Sequence, residues 1–338
     1  MAQNSCTESA KLTSNLQHWT GYASRTRTKL SSNHRLLEPE PDVSHLHPAS
    51  RPIALLPDVE RIAHMRADRW IGYTKAQQAL AKLEDLFTQP QRQRMQNLLP
   101  ISPTNNGKSM IIEKFRRAHQ IEPVEHAAHE TIPLLIMQMP SDPSIARFYT
   151  MLLTALHAPL RPRARVAELE PLALKILRVT AVRMLVIDEL HNMLAGSGAM
   201  QREFLNLLRF LGNELRIPIV GVGTREAYLA IRSDDQLENR FEPFLLPVWR
   251  EGKEFMALLA SFAISFPLRC PSDLQSTELA RSILARTEGT IGEIATLLTS
   301  AAIAAVKSDE EAINAKTLKL AAYESPTERR RAFERELG

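Results

Sequence analysis

The stretch "ISPTNNGKSMIIEKF", Ile101–Phe115, decides how the chain is read. Gly107, Lys108 and Ser109 lead into an apolar-periodic run, as at the end of the phosphate-binding pattern G-x-x-x-x-G-K-[ST]. That pattern asks for glycine at position 102, where Ser102 stands. The chemistry asks for less: successive backbone N–H groups aimed at phosphate oxygens, and a helix N-terminus behind them. It also needs a lysine for the β- and γ-phosphates and a hydroxyl for Mg²⁺. Lys108 and Ser109 supply the last two, and Pro103, Thr104, Asn105 and Asn106 complete the loop. Ser102 only enters the loop from the preceding run, so a small side chain suffices there if its φ stays negative.

Working outward, "MQNLLPIS" before the loop reads as a strand and "SMIIEKFRRAH" after it as a helix. "IPLLIMQMP" is a continuous apolar run, expected of a strand buried on both faces of a parallel sheet. "VRMLVIDEL" and "RIPIVGVGT" are further strands, with helices such as "AMQREFLNLLRFLGNEL" between them. Strands alternating with helices predict an α/β fold with a doubly wound parallel sheet. Before the first strand, "DVERIAHMRADRW" and "TKAQQALAKLEDLF" read as helices with Asp58 and Thr74 as candidate caps. Beyond Trp249 the strand signal stops, and four helical runs predict a small all-helical domain. The expected division is an irregular or disordered arm over 1–50 and the nucleotide-binding α/β domain with its leading helices over 51–248. A helical lid over 249–324 and a charged tail over 325–338 follow.

With 44% hydrophobic and 24% charged residues, the composition is that of a globular protein rather than a disordered or fibrous one. No apolar run reaches the roughly 18 residues a membrane helix needs, and two cysteines make no disulfide framework. We therefore expect no membrane association and a reducing cytoplasm. A net charge of +4, from 42 basic and 38 acidic residues, permits nucleic-acid binding without demanding it. The stretch from Ser9 to Leu37 is basic and free of acids, either a solvated arm or one that lies on phosphate or a partner.

The strand "MLVIDEL" ends in Asp188 and Glu189. At a strand end beside a phosphate loop, one carboxylate can hold Mg²⁺ and its neighbour orient the attacking water. An acidic pair capping a following helix is the bland alternative, and the order of loop and acidic strand favours the site. Thr224, ending "IPIVGVGT", can turn a hydroxyl toward the γ-phosphate or cap the helix "REAYLAI". Arg240 in "LENRFEPF" can stabilise transition-state charge on a neighbouring subunit's nucleotide, or pair with Glu238 or Glu242 on the surface. Arg232 and Arg225 are weaker candidates for that role. His126 and His129 form a lone pair without the further ligands a metal needs. His191 reads as a local helix residue, and Met137, Met139, Met151 and Met193 as core.

The combination of "GYTKAQQALAKLEDLF", "PTNNGKS", "LVIDELHNML", "FLNLLRFLGNELRIPIVGVGTREA" and "LENRFEPFLLPVW" resembles the TniB family of AAA+ P-loop ATPases from transposons, related to TnsC and more distantly to MuB. The resemblance runs from about Leu46 to Tyr323 and includes the lid stretch "RTEGTIGEIATLLTSAAIAA". It implies ATP and Mg²⁺ bound between subunits of a homo-oligomer, a ring or helical filament on double-stranded DNA. It also implies a DDE-type transposase and a TniQ-type targeting protein as partners. On that model Lys108, Ser109 and Asp188 hold phosphates and metal, Glu189 the water, Thr224 is the first sensor and Arg240 the finger acting in trans. One departure is in the lid, where Gly292 stands at the "G-x-x-R" arginine position of many AAA+ lids. We therefore expect no second-sensor arginine, and slow, regulatory hydrolysis. Loops expected to face a channel carry Arg161, Arg163 and Arg165, Arg202, and the segment after Asp142. Phosphate contacts there would be non-specific and salt-dependent. Two rival functions remain: a helicase-loader or initiator ATPase, against which the short "SPTERRRAFERELG" after the lid weighs, and a nucleotide switch without DNA.

Overall fold

The computed structural model describes residues 41–120, 130–142, 144–161 and 163–337. The basic arm and the His126/His129 pair lie outside the described residues. Helices α1 (Arg51–Ala54), α2 (Asp58–Arg66) and α3 (Thr74–Thr88) precede β1 (Asn97–Ile101) and α4 (Lys108–Ala118). Then come β2 (Leu134–Gln138), α5 (Ile145–Ala155), α6 (Val166–Val179) and β3 (Met184–Asp188). A 3₁₀ turn, Leu190–Ala195, leads to α7 (Gly198–Leu215), β4 (Ile219–Gly221), α8 (Arg225–Arg232), α9 (Asp235–Glu238) and β5 (Phe241–Leu245). The remainder is helical: α10 (Lys253–Ser265), α11 (Thr277–Thr287), α12 (Ile291–Lys307), α13 (Ala315–Leu320) and α14 (Pro326–Leu337).

The five strands run parallel in the order β2-β3-β4-β1-β5. Side chains alternate across the sheet as the pleat requires. Leu99, Ile101, Leu185, Ile187 and Ile219 face α5, α6 and α7 in one core cluster. Leu98, Met184, Val186 and Val220 face α3 and α4 in another. The sheet is therefore covered on both sides, and the loop at the end of β1 emerges where chain crossovers leave in opposite directions, the usual ligand position in such sheets.

The structure departs from the sequence reading in four places. A fifth strand, β5, pairs with β1 along its length, in a segment without a strand signal. Pro243 and the lack of a period-two pattern, with only Phe241 and Phe244 buried, hide it, and both are tolerated because β5 is an edge strand. At the other edge, β2 keeps Leu134 and Ile136 only half-buried instead of burying both faces. Asp58 and Thr74 are the first helical residues of α2 and α3 and make no cap bond. Finally, α2 packs against α12, and its Met65 joins the core of α10 to α13 rather than the sheet. Residues 41–50 are irregular but docked: Leu46 is buried, the His47 amide donates to Ile264 and the Ser50 hydroxyl to Ser265.

Arg61 explains the placement of α2. It is fully buried, and its guanidinium bonds the carboxylates of Asp58 and Glu311 and the carbonyl of Pro267. These contacts lift its pKa above the ordinary arginine value despite burial. Removing one partner of a buried ion pair strands the other. Arg61→Ala should therefore destabilise the fold by about 3–5 kcal/mol, read as a lower urea midpoint.

Among the described residues no single helix is long and apolar enough to cross a membrane. The bent pair α11 and α12 passes by length and composition together, but its apolar residues form the core of the helical region.

Candidate functional site

The loop of residues 102–109 connects β1 to α4, and its conformation is set residue by residue. Gly107 has φ +85 and Asn105 φ +58, the left-handed region that glycine and asparagine enter most readily. Gly107 is further confined by its neighbours: a Cβ there would lie 3.1 Å from Ile291 and 3.5 Å from the Tyr73 hydroxyl. Ser102 is buried and not among the positive-φ residues, so the missing glycine is not required by the backbone. Its hydroxyl oxygen instead accepts from the Lys108 ammonium at 3.0 Å, which also donates to the carbonyls of Ser102 and Pro103 at 3.1 and 2.9 Å. Burial pushes the Lys108 pKa down, opposed by Glu189 and Asp188 nearby.

Ser109, in the first turn of α4, donates its hydroxyl to Asp188 at 2.9 Å, across 79 positions of sequence. A hydroxyl and a buried carboxylate thus share one point at the mouth of the sheet. Asp188 also accepts from the amide of Glu189 at 2.8 Å. Glu189 itself takes φ +54, a conformation costing roughly 1 kcal/mol or more for a non-glycine residue. Such strain turns its carboxylate out of the strand, where it meets His191 Nε2 at 3.1 Å. His191 does lie in the local 3₁₀ turn, but its contact with Glu189 was not visible in the sequence. The other ring nitrogen, Nδ1, is buried without a partner.

A cleft of about 770 Å³ contains loop residues 104–109 together with Glu189, His191 and Thr224. Its opposite side carries apolar side chains, Trp70, Ile71, Tyr73, Ile291 and Ala295, among polar and charged ones such as Arg69, Thr296 and Lys307. Tyr73 stacks edge-on against Trp249 and is pushed up to about pKa 12 by burial. The cleft is thus polar at the loop and mixed toward α2–α3 and α12, where its apolar side chains lie, with a volume in the range of small-molecule sites. These apolar residues escaped sequence reasoning because they come from distant segments and resemble ordinary core in the sequence.

Other residues singled out from the sequence stand elsewhere. Thr224 precedes α8, makes no cap bond and holds Glu226 through its hydroxyl. Arg240 lies at the start of β5, where its carbonyl accepts from Asn97 at the start of β1. It is therefore a strand length, roughly 15 Å, from the loop at the far end of β1. Its guanidinium donates to Asn213 at 2.8 Å, rather than to Glu238 or Glu242. Arg232 pairs with Glu238. Arg161, Arg163, Arg165 and Arg202 are exposed, and among the described residues none of the four makes an ion pair. The described residues contain no cluster of three or more histidine, cysteine or acidic side chains fit for a metal.

A family model described as bacterial TniB protein matches residues 61–251, more than half of the chain. The chain belongs to the TniB family. No curated protein matches it significantly. Among solved structures, this TniB chain is similar to the ORC1 protein of Aeropyrum pernix in complex with DNA, with a TM-score of 0.54 and 14% identity. That match covers 77% of this chain and 68% of the other. It is similar also to Cdc6p of Pyrobaculum aerophilum, with a TM-score of 0.50, 14% identity and coverage of 77% and 71%. The ORC2 protein of Aeropyrum pernix, in its ADPNP-ADP complexes, gives a TM-score of 0.48 at 15% identity. That match covers 73% of this chain and 65% of the other, so TniB spans just under two thirds of that protein's length. The fold is the one this TniB chain shares with those proteins: a parallel α/β sheet followed by a helical region.

Proposed function

We propose that this TniB chain binds ATP with Mg²⁺, assembles as a homo-oligomer on double-stranded DNA, and there marks a target for a DDE-type transposase. The observation that carries the reading is the bond from Ser109 to Asp188, which joins the phosphate loop to the acidic strand within one cleft. That hydroxyl and carboxylate would hold a Mg²⁺ ion. Mg²⁺ bound there would neutralise charge developing on the phosphates. Lys108 leaves its loop carbonyls for the β- and γ-phosphates. Glu189, already turned out of its strand, orients and deprotonates the attacking water, with Thr224 near the γ-phosphate. Arg240 cannot reach its own subunit's loop from the far end of the sheet, so its guanidinium serves a neighbour's nucleotide. That requirement makes turnover depend on assembly.

The lid carries Gly292 in place of an arginine, leaving hydrolysis slow and regulatory. The exposed Arg161, Arg163, Arg165 and Arg202 would lie along phosphate, giving DNA binding without a sequence code. A TniQ-type protein and the transposase are the partners that the family resemblance implies. The division into an arm, an α/β domain, a lid and a charged tail is part of this proposal, with α1 and α2 moved to the lid. The cytoplasm is the proposed compartment.

Imaging and sedimentation with duplex DNA in ATP, a non-hydrolysable analogue and ADP test the reading. We expect rings or filaments with the triphosphates alone, and retention that falls steeply and log-linearly as salt rises. A monomer indifferent to DNA in all three states would leave a nucleotide switch. Loading onto DNA regardless of nucleotide would favour an initiator-type protein.

A further inference from the structure

The first N–H groups of a helix have no partner within it and must find one elsewhere. In α12 the residue placed to cap them, Thr290, makes no side-chain cap bond, and its hydroxyl is buried without a partner. The phosphate loop does the capping instead. Ile291 N–H donates to the Asn106 side-chain oxygen at 3.2 Å, and Gly292 N–H to the Asn105 carbonyl at 3.0 Å. The Asn106 amide closes the other side by donating to the carbonyls of Leu246 and Pro247. Gly292 is what allows so close an approach: a Cβ there would stand 1.8 Å from the Asn105 side-chain oxygen. The residue that replaces the lid arginine therefore makes room for the loop.

The next residue, Glu293, is buried and gathers three donors. Asn105 Nδ2 lies 3.1 Å from one carboxylate oxygen, with Arg329 of α14 at 2.8 Å from the same atom. The Tyr323 hydroxyl donates to the other oxygen at 2.8 Å. Burial and the Glu293 carboxylate raise the Tyr323 pKa, so the phenol stays protonated as a donor. Helix α14 buries no residue of its own, and it is joined to the lid at its first turn, where Thr327 bonds Glu288. Arg329 thus gives this exposed helix a direct line to the loop.

We propose that Glu293 is a positioning residue for the nucleotide loop, holding Asn105 in its left-handed conformation and coupling that conformation to helix α14 through Arg329. The inference rests on residues 102–109 being the nucleotide site. Asn105 at φ +58 and Gly107 at φ +85 orient the backbone N–H groups that face the phosphates, and Glu293 is the charged anchor of the first of them.

The test is the affinity of the full-length chain for fluorescent ADP and a fluorescent non-hydrolysable ATP analogue, with thermal melts alongside. Glu293→Ala and Asn105→Ala should each weaken binding roughly tenfold, the scale of one charge-assisted hydrogen bond. The double variant should be no weaker than either single one, since both remove the same bond. Arg329→Ala, on an exposed helix and safe for folding, should weaken binding in the same direction by a smaller factor. A merely structural Glu293 would lower the melting temperature and leave all three affinities within about twofold of wild type. That result, additive losses, or tighter binding in Glu293→Ala would overturn the proposal. If the wild-type chain bound neither probe, the nucleotide-site reading itself would have failed instead.

Discussion

Lys108→Ala abolishes nucleotide binding while the protein still folds. The ammonium is the cation that the loop itself positions, held at about 3 Å by Ser102 and Pro103. Bonds from a charged donor contribute about 1.5–3 kcal/mol each, so losing two of them weakens ATP by at least about 100-fold. Of the oxygens it leaves, the Pro103 carbonyl is only partly buried and can turn to water, while the two of Ser102 are buried, so a modest loss of stability accompanies the loss of binding. Titration with a fluorescent ATP analogue measures the loss, and a cooperative melt with unchanged far-UV dichroism controls for folding. Near-wild-type affinity would mean that the phosphates lie elsewhere.

Glu189→Gln separates binding from chemistry. The amide keeps the shape of the side chain but cannot take a proton from water. Removing a general base slows the chemical step by about 10²- to 10⁴-fold. The variant should bind ATP as wild type does and remain on DNA long after wild type has left, measured by chase with unlabelled DNA. Dissociation at the wild-type rate would sink the link between hydrolysis and release. The same variant locates Arg240. If that guanidinium acts in trans, Arg240→Ala and Glu189→Gln proteins are each inactive alone but recover ATPase activity when mixed. In the mixed assembly an intact site meets an intact arginine. No recovery at any ratio would place Arg240 outside the chemistry.

Much of the α/β layer was legible because its signals are local. The strands β1, β3 and β4 are runs of apolar residues, and helices with one apolar face separate them. The loop sequence and the acidic end of β3 each follow from the type of residue at a strand terminus. Edges were less legible. Strand β5 contains Pro243 and buries only Phe241 and Phe244, three positions apart, and it is a strand only because β1 lies beside it. The apolar side chains of the cleft were hidden for a related reason. Trp70, Tyr73 and Ile291 look like core residues until the chain brings α12 over the loop. Nor does the sequence mark Arg61 as buried. Its partner Glu311 stands 250 positions away, and a lone arginine in an amphipathic helix reads as solvated.

By itself the sequence determined the parallel α/β class, the loop at the end of β1, the acidic pair at the end of β3 and the helical character of the last third. Hydrophobic period, glycine and charge act over a few residues, and those features need nothing more. Tertiary structure alone decided that Ser109 meets Asp188, that Arg240 lies a strand length from its own loop, and that Gly292 and Glu293 close on Asn105. Each of these is a meeting of segments far apart in the chain. Contacts of that kind depend on strand order and on the direction of each crossover, which no local pattern records.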